Sequence, residues 1–333
     1  MKNNKKPFYK RIWFIVVIVI VLIIGCTALT MPFTYGVQNI ILKTACRVSD
    51  ELSEPDNYAS ICENTMVASN ITYTSSYNNN QMDIIIPKVI TNDLPLLVYF
   101  HGGYYVGGDK ASAVPYCRII ANENYIVANV NYEFAPEEKY PAQLIQANEA
   151  IAFLTENSGI YHINADKIFI GGDSAGAHLT GMLGAFYTNL EFKNKIDIVP
   201  AINSQQLKGV VLNCGFYNAF TIRDTKFPFV NDAMWMFTGV KKYENFERID
   251  ELNTINNVTT NYPATFLLCG SDDPFYNQNL EMQTKLEEYN IDTTAYLPVS
   301  SNYKLKHEFQ RKFSLAEANI AIDLLIDFLA DKE

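Results

Sequence analysis

The sequence has little with which to hold a metal, a nucleotide phosphate or a nucleic acid. Among its 333 residues are four histidines and six cysteines. No two cysteines form a C-x-x-C, which leaves zinc ribbons and thiol redox motifs without support. The histidines show no ligand-like spacing, so no metal is expected. Lysine and arginine number 26 against 36 aspartates and glutamates, a net charge of −10. Phosphate backbones require a clustered positive surface, so nucleic acid is not an expected partner. A hydrophobic share of 48% with 19% charged residues excludes a disordered or fibrous chain.

One stretch lacks charge altogether. Residues 12–31, IWFIVVIVIVLIIGCTALTM, run for twenty residues without a charged side chain, enough to cross a hydrocarbon core of roughly 30 Å. The preceding MKNNKKPFYKR holds five basic residues and no acidic one, and such a flank stays cytoplasmic. The expected organisation is a basic tail (1–11), a transmembrane anchor (12–31), a stalk or N-terminal flap (32–63) and an extracytoplasmic domain (64–333). Two alternatives stand beside it. One is a cleaved signal peptide; the other is a lipoprotein anchored at Cys26, since Ile23-Ile24-Gly25-Cys26 resembles a bacterial lipobox. Cys46 and Cys62 could pair in an oxidising compartment. Cys117, Cys214 and Cys269 sit in apolar runs and read as small buried hydrophobes.

The rest of the chain alternates strands and helices. MVASNITYTSS and NNQMDIIIPK read as strands joined by an asparagine-rich turn. LPLLVYF (94–100) is a continuous apolar run, the mark of a strand covered on both faces. Further strands are expected at 125–132, 167–172, KGVVLNCG, ATFLLCG and TTAYLPV. Helices are expected at 111–122, from Pro141 to about Asn157, and at 175–189, 277–289 and SLAEANIAIDLLIDFLA. This alternation predicts a mostly parallel sheet with helices on both faces. Residues 215–260 break the rhythm with aromatics and methionines and read as a cap inserted over the sheet's active edge, with 215–240 lining a pocket.

The chemistry concentrates at GGDSAG (171–176). Gly172-Asp173-Ser174-Ala175-Gly176 matches G-x-S-x-G where a strand yields to a helix, the context that motif requires. Such a turn lifts the Ser174 hydroxyl above the sheet and aims the Ala175 N–H at the same point. A serine hydroxyl is a poor nucleophile without a base. His178 lies one helical turn beyond Ser174 and reads as packing; His101 braces the glycine loop; His162 lies in a solvated turn. His307, after the last strand, is the expected base. Asp273 is favoured over Asp272 as the acid that orients it, both lying at a strand's C-terminal edge. HGGYYVGG (101–108) contains neither a P-loop nor a dinucleotide fingerprint. It reads as an oxyanion loop in which Gly102 and Gly103 bring bare backbone to the substrate. Tyr105, Trp235 and Phe237 are expected around the pocket.

HGG at 101–103, YEFAPEEKYPAQL at 132–144, GDSAG at 172–176, DDPF at 272–275 and HEF at 307–309 together resemble the hormone-sensitive-lipase-like α/β-hydrolases over roughly residues 64–333. The resemblance implies an α/β-hydrolase fold and a serine carboxylesterase without cofactor, with Ser174, Asp273 and His307 as triad. It also implies that the backbone N–H groups of Gly103, Tyr104 and Ala175 hold the oxyanion. Tyr104 replaces the third glycine of the family's H-G-G-G, which is permitted if its φ stays negative. H-G-G-Y also resembles the loop of arylformamidases, so an amidase is the alternative. A catalytically silent scaffold domain is the reading from a different class.

Overall fold

The apolar runs become strands because β-branched and aromatic side chains pack well on a pleated surface covered from both sides. The structure, a computed structural model, describes residues 8–30, 36–45 and 53–332. Among these, eight strands form one sheet: β1 (Thr65–Thr72), β2 (Gln81–Pro87), β3 (Leu94–Phe100), β4 (Ile126–Val130), β5 (Ile163–Asp173), β6 (Leu207–Asn213), β7 (Ala264–Leu268) and β8 (Thr293–Tyr296). Their order is β1-β2-β4-β3-β5-β6-β7-β8. Only β1 and β2 run against their neighbours; every pair from β4 through β8 is parallel. This is the mostly parallel sheet that the alternation predicts. β5 starts earlier than KIFIGG, at Ile163, which pairs with Leu94.

Alternate residues feed two cores. Leu96, Val98, Phe100, Ile170 and Leu212 face the helices Ala142–Glu156 and Ala175–Thr188. Leu97, Tyr99, Phe169, Val211 and Phe266 face Val114–Asn122 and Ala316–Asp331. A period of two on each strand makes this division automatic. Between β6 and β7 the chain leaves the sheet and forms short helical pieces, the longest being Val230–Thr238. It buries Met234, Met236 and Phe237.

Phe8–Thr30 forms one helix, with residues 12–23 exposed. Among the described residues no helix is long and apolar enough to cross a membrane. The side chains of Ile24 and residues 26–30, Cys26 with them, lie outside the described ones. The helix Gly36–Ala45 buries Leu42 in the core that also holds the cap, and Lys43 pairs with Glu137 at 2.7 Å. Cys46 lies outside the described residues, and Cys62 is a free, half-buried thiol. Cys117, Cys214 and Cys269 are free and buried.

Candidate active site

The strand-to-helix turn at Ser174 is enforced by crowding. A side chain at Gly176 would put its first carbon 2.0 Å from the Phe100 carbonyl oxygen, so only glycine lets the helix Ala175–Thr188 start so close to β3. Ser174 consequently adopts φ 54° and ψ −115°, a strained backbone of the kind found at functional turns. Its amide donates to the Asn213 carbonyl at 2.9 Å.

His307 arrives from the loop between β8 and the last helix. Its Nε2 lies 2.9 Å from Ser174 Oγ, and its Nδ1 lies 2.7 Å from Asp273 Oδ2. Asp273 is buried, and its other oxygen accepts the Phe275 amide at 2.8 Å. Asp272 does a different job. Its carboxylate accepts the Leu305 amide at 3.1 Å and so ties the His307 loop to the end of β7. Burial disfavours a charged His307, but the carboxylates of Asp273 and Glu308 outweigh it and push the imidazole upward. That is the direction needed by a group that must carry a proton midway through a reaction. Cys214, Cys269 and Asp273 bring sulfur and oxygen atoms within 4.8 Å of one another. However, both Asp273 oxygens are already engaged, and burial pushes the Cys269 thiol up, toward its protonated form.

The loop after β3 folds differently from the expectation in two respects. Gly102 does not offer its amide to the site, because that N–H donates to Asp173 Oδ2 at 3.2 Å. Tyr104 has φ 61°, not the negative value expected, and Tyr105 follows at 64°. The cause is a tight turn at Gly103, whose carbonyl accepts the Val106 and Gly107 amides at 3.0 and 3.1 Å. Gly103 itself sits at φ 125°, where a β-carbon would fall 2.2 Å from the Gly107 oxygen. His101 braces the loop: its Nδ1 is 2.6 Å from the Gly102 carbonyl, and its ring stacks on Tyr132 at 4.7 Å. The Tyr132 hydroxyl donates to the His101 carbonyl at 2.8 Å. The stretch YEFAPEEKYPAQL holds the loop from outside, through the Ala135 amide on the Tyr105 carbonyl at 2.8 Å.

Beside Ser174 lies a cavity of about 20 Å³, whose lining includes Tyr104, Tyr105, Phe216, Phe227, Met234 and Phe275, so Tyr105 is where the sequence put it. Phe227 stacks on Phe275 at 4.4 Å and meets the His307 ring edge-on at 4.8 Å. Trp235 and Phe237 are not part of this wall. Phe237 stacks behind Tyr105 at 3.9 Å, and Trp235 lies under the Lys241 ammonium, 5.1 Å away. His178 is buried and neutral, its pKa pushed down by burial to about 4. It accepts from the Tyr105 hydroxyl and donates to the Leu252 carbonyl, each at 2.8 Å. His162 is exposed beside Asp93. The residues that sequence reasoning missed are Glu308 and Arg311, together with a separate role for Asp173; an acid inside G-x-S-x-G was the one available signal.

Residues 82–286 match the BD-FAE family. A probable carboxylesterase 3 from Arabidopsis thaliana is 31% identical over 134 residues, which is 37% of this chain and 42% of that one. The chain thus spans about two fifths of that relative's length. Kynurenine formamidase of Danio rerio is 26% identical over 225 residues, covering 66% of this chain and 67% of its own. Among solved structures, esterase B from Lactobacillus rhamnosus superposes with a TM-score of 0.73 at 19% identity, over 89% of this chain and 92% of that one. At that identity the likeness speaks for the fold alone, that of the α/β-hydrolases.

Proposed function

The chain belongs to the BD-FAE family, and from that premise we propose that it is a serine carboxylesterase. Ser174 attacks the acyl carbonyl while His307 takes its proton and Asp273 holds the imidazole in the right tautomer. The amides of Gly103, Tyr104 and Ala175 receive the oxyanion. His307 returns the proton to the leaving alcohol, and water, activated by the same histidine, releases the acid. The observation that carries this reading is the unbroken line Ser174 Oγ–His307 Nε2 (2.9 Å) and His307 Nδ1–Asp273 Oδ2 (2.7 Å) beside a walled cavity. No cofactor is needed for these steps.

A cavity of about 20 Å³ is little more than the space of one water molecule. That favours a short acyl group such as acetyl, held against Phe227 and Phe275, with the alcohol outside. The same small space would accept a formyl group. Together with the H-G-G-Y loop and the formamidase relative, this keeps formamide cleavage as the second reading. Assays of 4-nitrophenyl acetate and an N-formyl aromatic amine in parallel separate the two.

Residues 12–31 serve in this proposal as a single membrane anchor with the catalytic domain outside the cytoplasm, supported by twenty uncharged residues behind a basic flank; the mass of the mature N-terminus distinguishes a retained anchor from lipidation at Cys26. The decisive experiment is labelling with a fluorophosphonate, which requires nucleophile, base and oxyanion donors together. Wild type should label at Ser174, and Ser174→Ala should lose labelling and at least about a thousandfold in kcat. If wild type and variant were equally inert toward esters, amides and probe, the enzyme reading would give way to the silent scaffold.

A further inference from the structure

Two acids flank His307, Asp273 and Glu308, and the triad uses one. On the side of the ring opposite Asp273, Glu308 Oε1 lies 3.8 Å from His307 Nε2. Glu308 has φ 56°, a left-handed turn. Its Oε1 converges with Oδ2 of Asp173, inside the G-x-S-x-G motif, at Gly102, the two oxygens lying 2.8 and 3.0 Å from where a side chain there would begin, so that the carboxyls are in hydrogen-bond contact. Asp173 is buried and accepts the Gly102 amide at 3.2 Å. Arg311 Nη1 lies 3.0 Å from Glu308 Oε2 and 3.7 Å from Asp173 Oδ2, and the same guanidinium donates to the Ser112 carbonyl.

Two carboxyl groups in hydrogen-bond contact do not both ionise; one proton is held between them. With that proton and one guanidinium the cluster carries no net charge. This matters because a bare negative charge here would oppose the charge that develops on the substrate oxygen nearby. We propose that Asp173 and Glu308 form one proton-sharing pair, balanced by Arg311, that positions the oxyanion loop and the His307 loop relative to each other. The link to the first loop is the Gly102 amide; the link to the second is Glu308's own place in the chain beside His307. Both are positioning residues, since neither reaches the reacting carbonyl. The inference rests on the serine-hydrolase reading above.

The groups facing the pair are His307 and Arg311 from the last loop, His101 and Tyr99 at the end of β3, and Tyr116 and Cys117 from the helix Val114–Asn122. Burial, then the Glu308 charge, push Asp173 up to about 8 against the pull of Arg311. The pair therefore keeps its proton at neutral pH and loses it on the alkaline side.

The test uses the full chain, with kcat and KM for 4-nitrophenyl acetate measured from pH 5 to 10, fluorophosphonate labelling and thermal unfolding. An amide at 173 mimics the protonated acid permanently. Asp173→Asn should therefore retain at least about ten times the kcat of Asp173→Ala at pH 7 and should lose the decline centred near pH 8, with KM little changed. Glu308→Gln should also exceed Glu308→Ala in kcat. If Asn and Ala at 173 lose activity equally, or if the alkaline decline persists unmoved in Asp173→Asn, the pair is refuted. If the alanine variants unfold, the melting curve reveals it and the Asp173→Asn pH profile decides alone. A wild type that neither turns over nor labels refutes the hydrolase reading instead.

Discussion

The turn after β5 and the loop after β3 both carry a non-glycine residue at positive φ, Ser174 at 54° and Tyr104 at 61°, but different forces hold them. The Ser174 turn is gripped by backbone: Asn213 accepts its amide, the helix begins at once with His178 N–H on the Ser174 carbonyl, and Gly176 lies against the Phe100 oxygen. The Tyr104 loop closes on its own Gly103 carbonyl, but its place in the site depends on side chains as well as backbone. His101 and Tyr132 brace its start, Asp173 holds Gly102, and Ala135 ties down Tyr105. A turn held by backbone survives most side-chain changes around it, whereas a loop braced by side chains inherits every change in its braces. The nucleophile is thus mounted on the rigid half of the site and the oxyanion donors on the adjustable half.

The strongest way to break this contrast is Gly176→Ala. A methyl 2.0 Å from the Phe100 oxygen must push the helix off β3, at a cost of about 3 kcal/mol or more. Fluorophosphonate labelling should vanish and the melting temperature fall together. A variant that melts like wild type would mean the elbow is not set by crowding.

Next comes His178, which joins the two halves through Tyr105. Its ordinary pKa of 6.5 falls to about 4 in the fold. Between those values the unfolded chain binds more protons than the folded one, so stability is present above pH 6.5 and lost as the pH drops through 4. The full difference is about 3 kcal/mol. Subtracting the pH dependence of a His178→Gln variant from that of wild type, by denaturant unfolding, isolates this contribution; a flat difference between pH 6.5 and 4 would show that the buried ring does not resist protonation.

The smallest effect sharpens the comparison most. Tyr104→Gly relieves a positive φ worth about 1 kcal/mol while deleting the ring that packs on Phe227 at 5.2 Å. We expect kcat for acetate esters to change less than about fivefold and the preference for acetate over longer acyl esters to weaken. Loss of all turnover in a folded variant would show that the ring, and not the loop backbone, supports catalysis.

The parts of this site legible in the sequence were those with local causes. G-x-S-x-G names within five residues the glycines that the turn needs, although the backbone they pack against is that of Phe100, and chain order singles out His307. Asp272 and Asp273 stand side by side in a turn, so only the fold distinguishes the one at His307 from the one at Leu305. The sheet was equally legible, because a long apolar run admits few places other than its middle. What stayed hidden depends on partners far along the chain. The Gly102 amide looks available until Asp173, 71 residues later, is seen to take it. In the cap, Val230, Ala233 and Met234 reach the cavity at the spacing of one helical face. Phe237, one turn further along, meets Tyr105 from behind instead, and aromatic content alone could not tell the two apart.

Phe100 and Gly172 are partners in the β3–β5 ladder, so the loop and the elbow leave the sheet from the same rung. Lengthening either strand by one residue would raise one turn by about 3.3 Å and swing the next side chain to the opposite face. Adjustment of this site by insertion or deletion in those strands is therefore coarse and ruinous. Across homologous chains, diversity in what is hydrolysed should accumulate by substitution in the braces and the cap, while the two strand lengths behave as a fixed gauge.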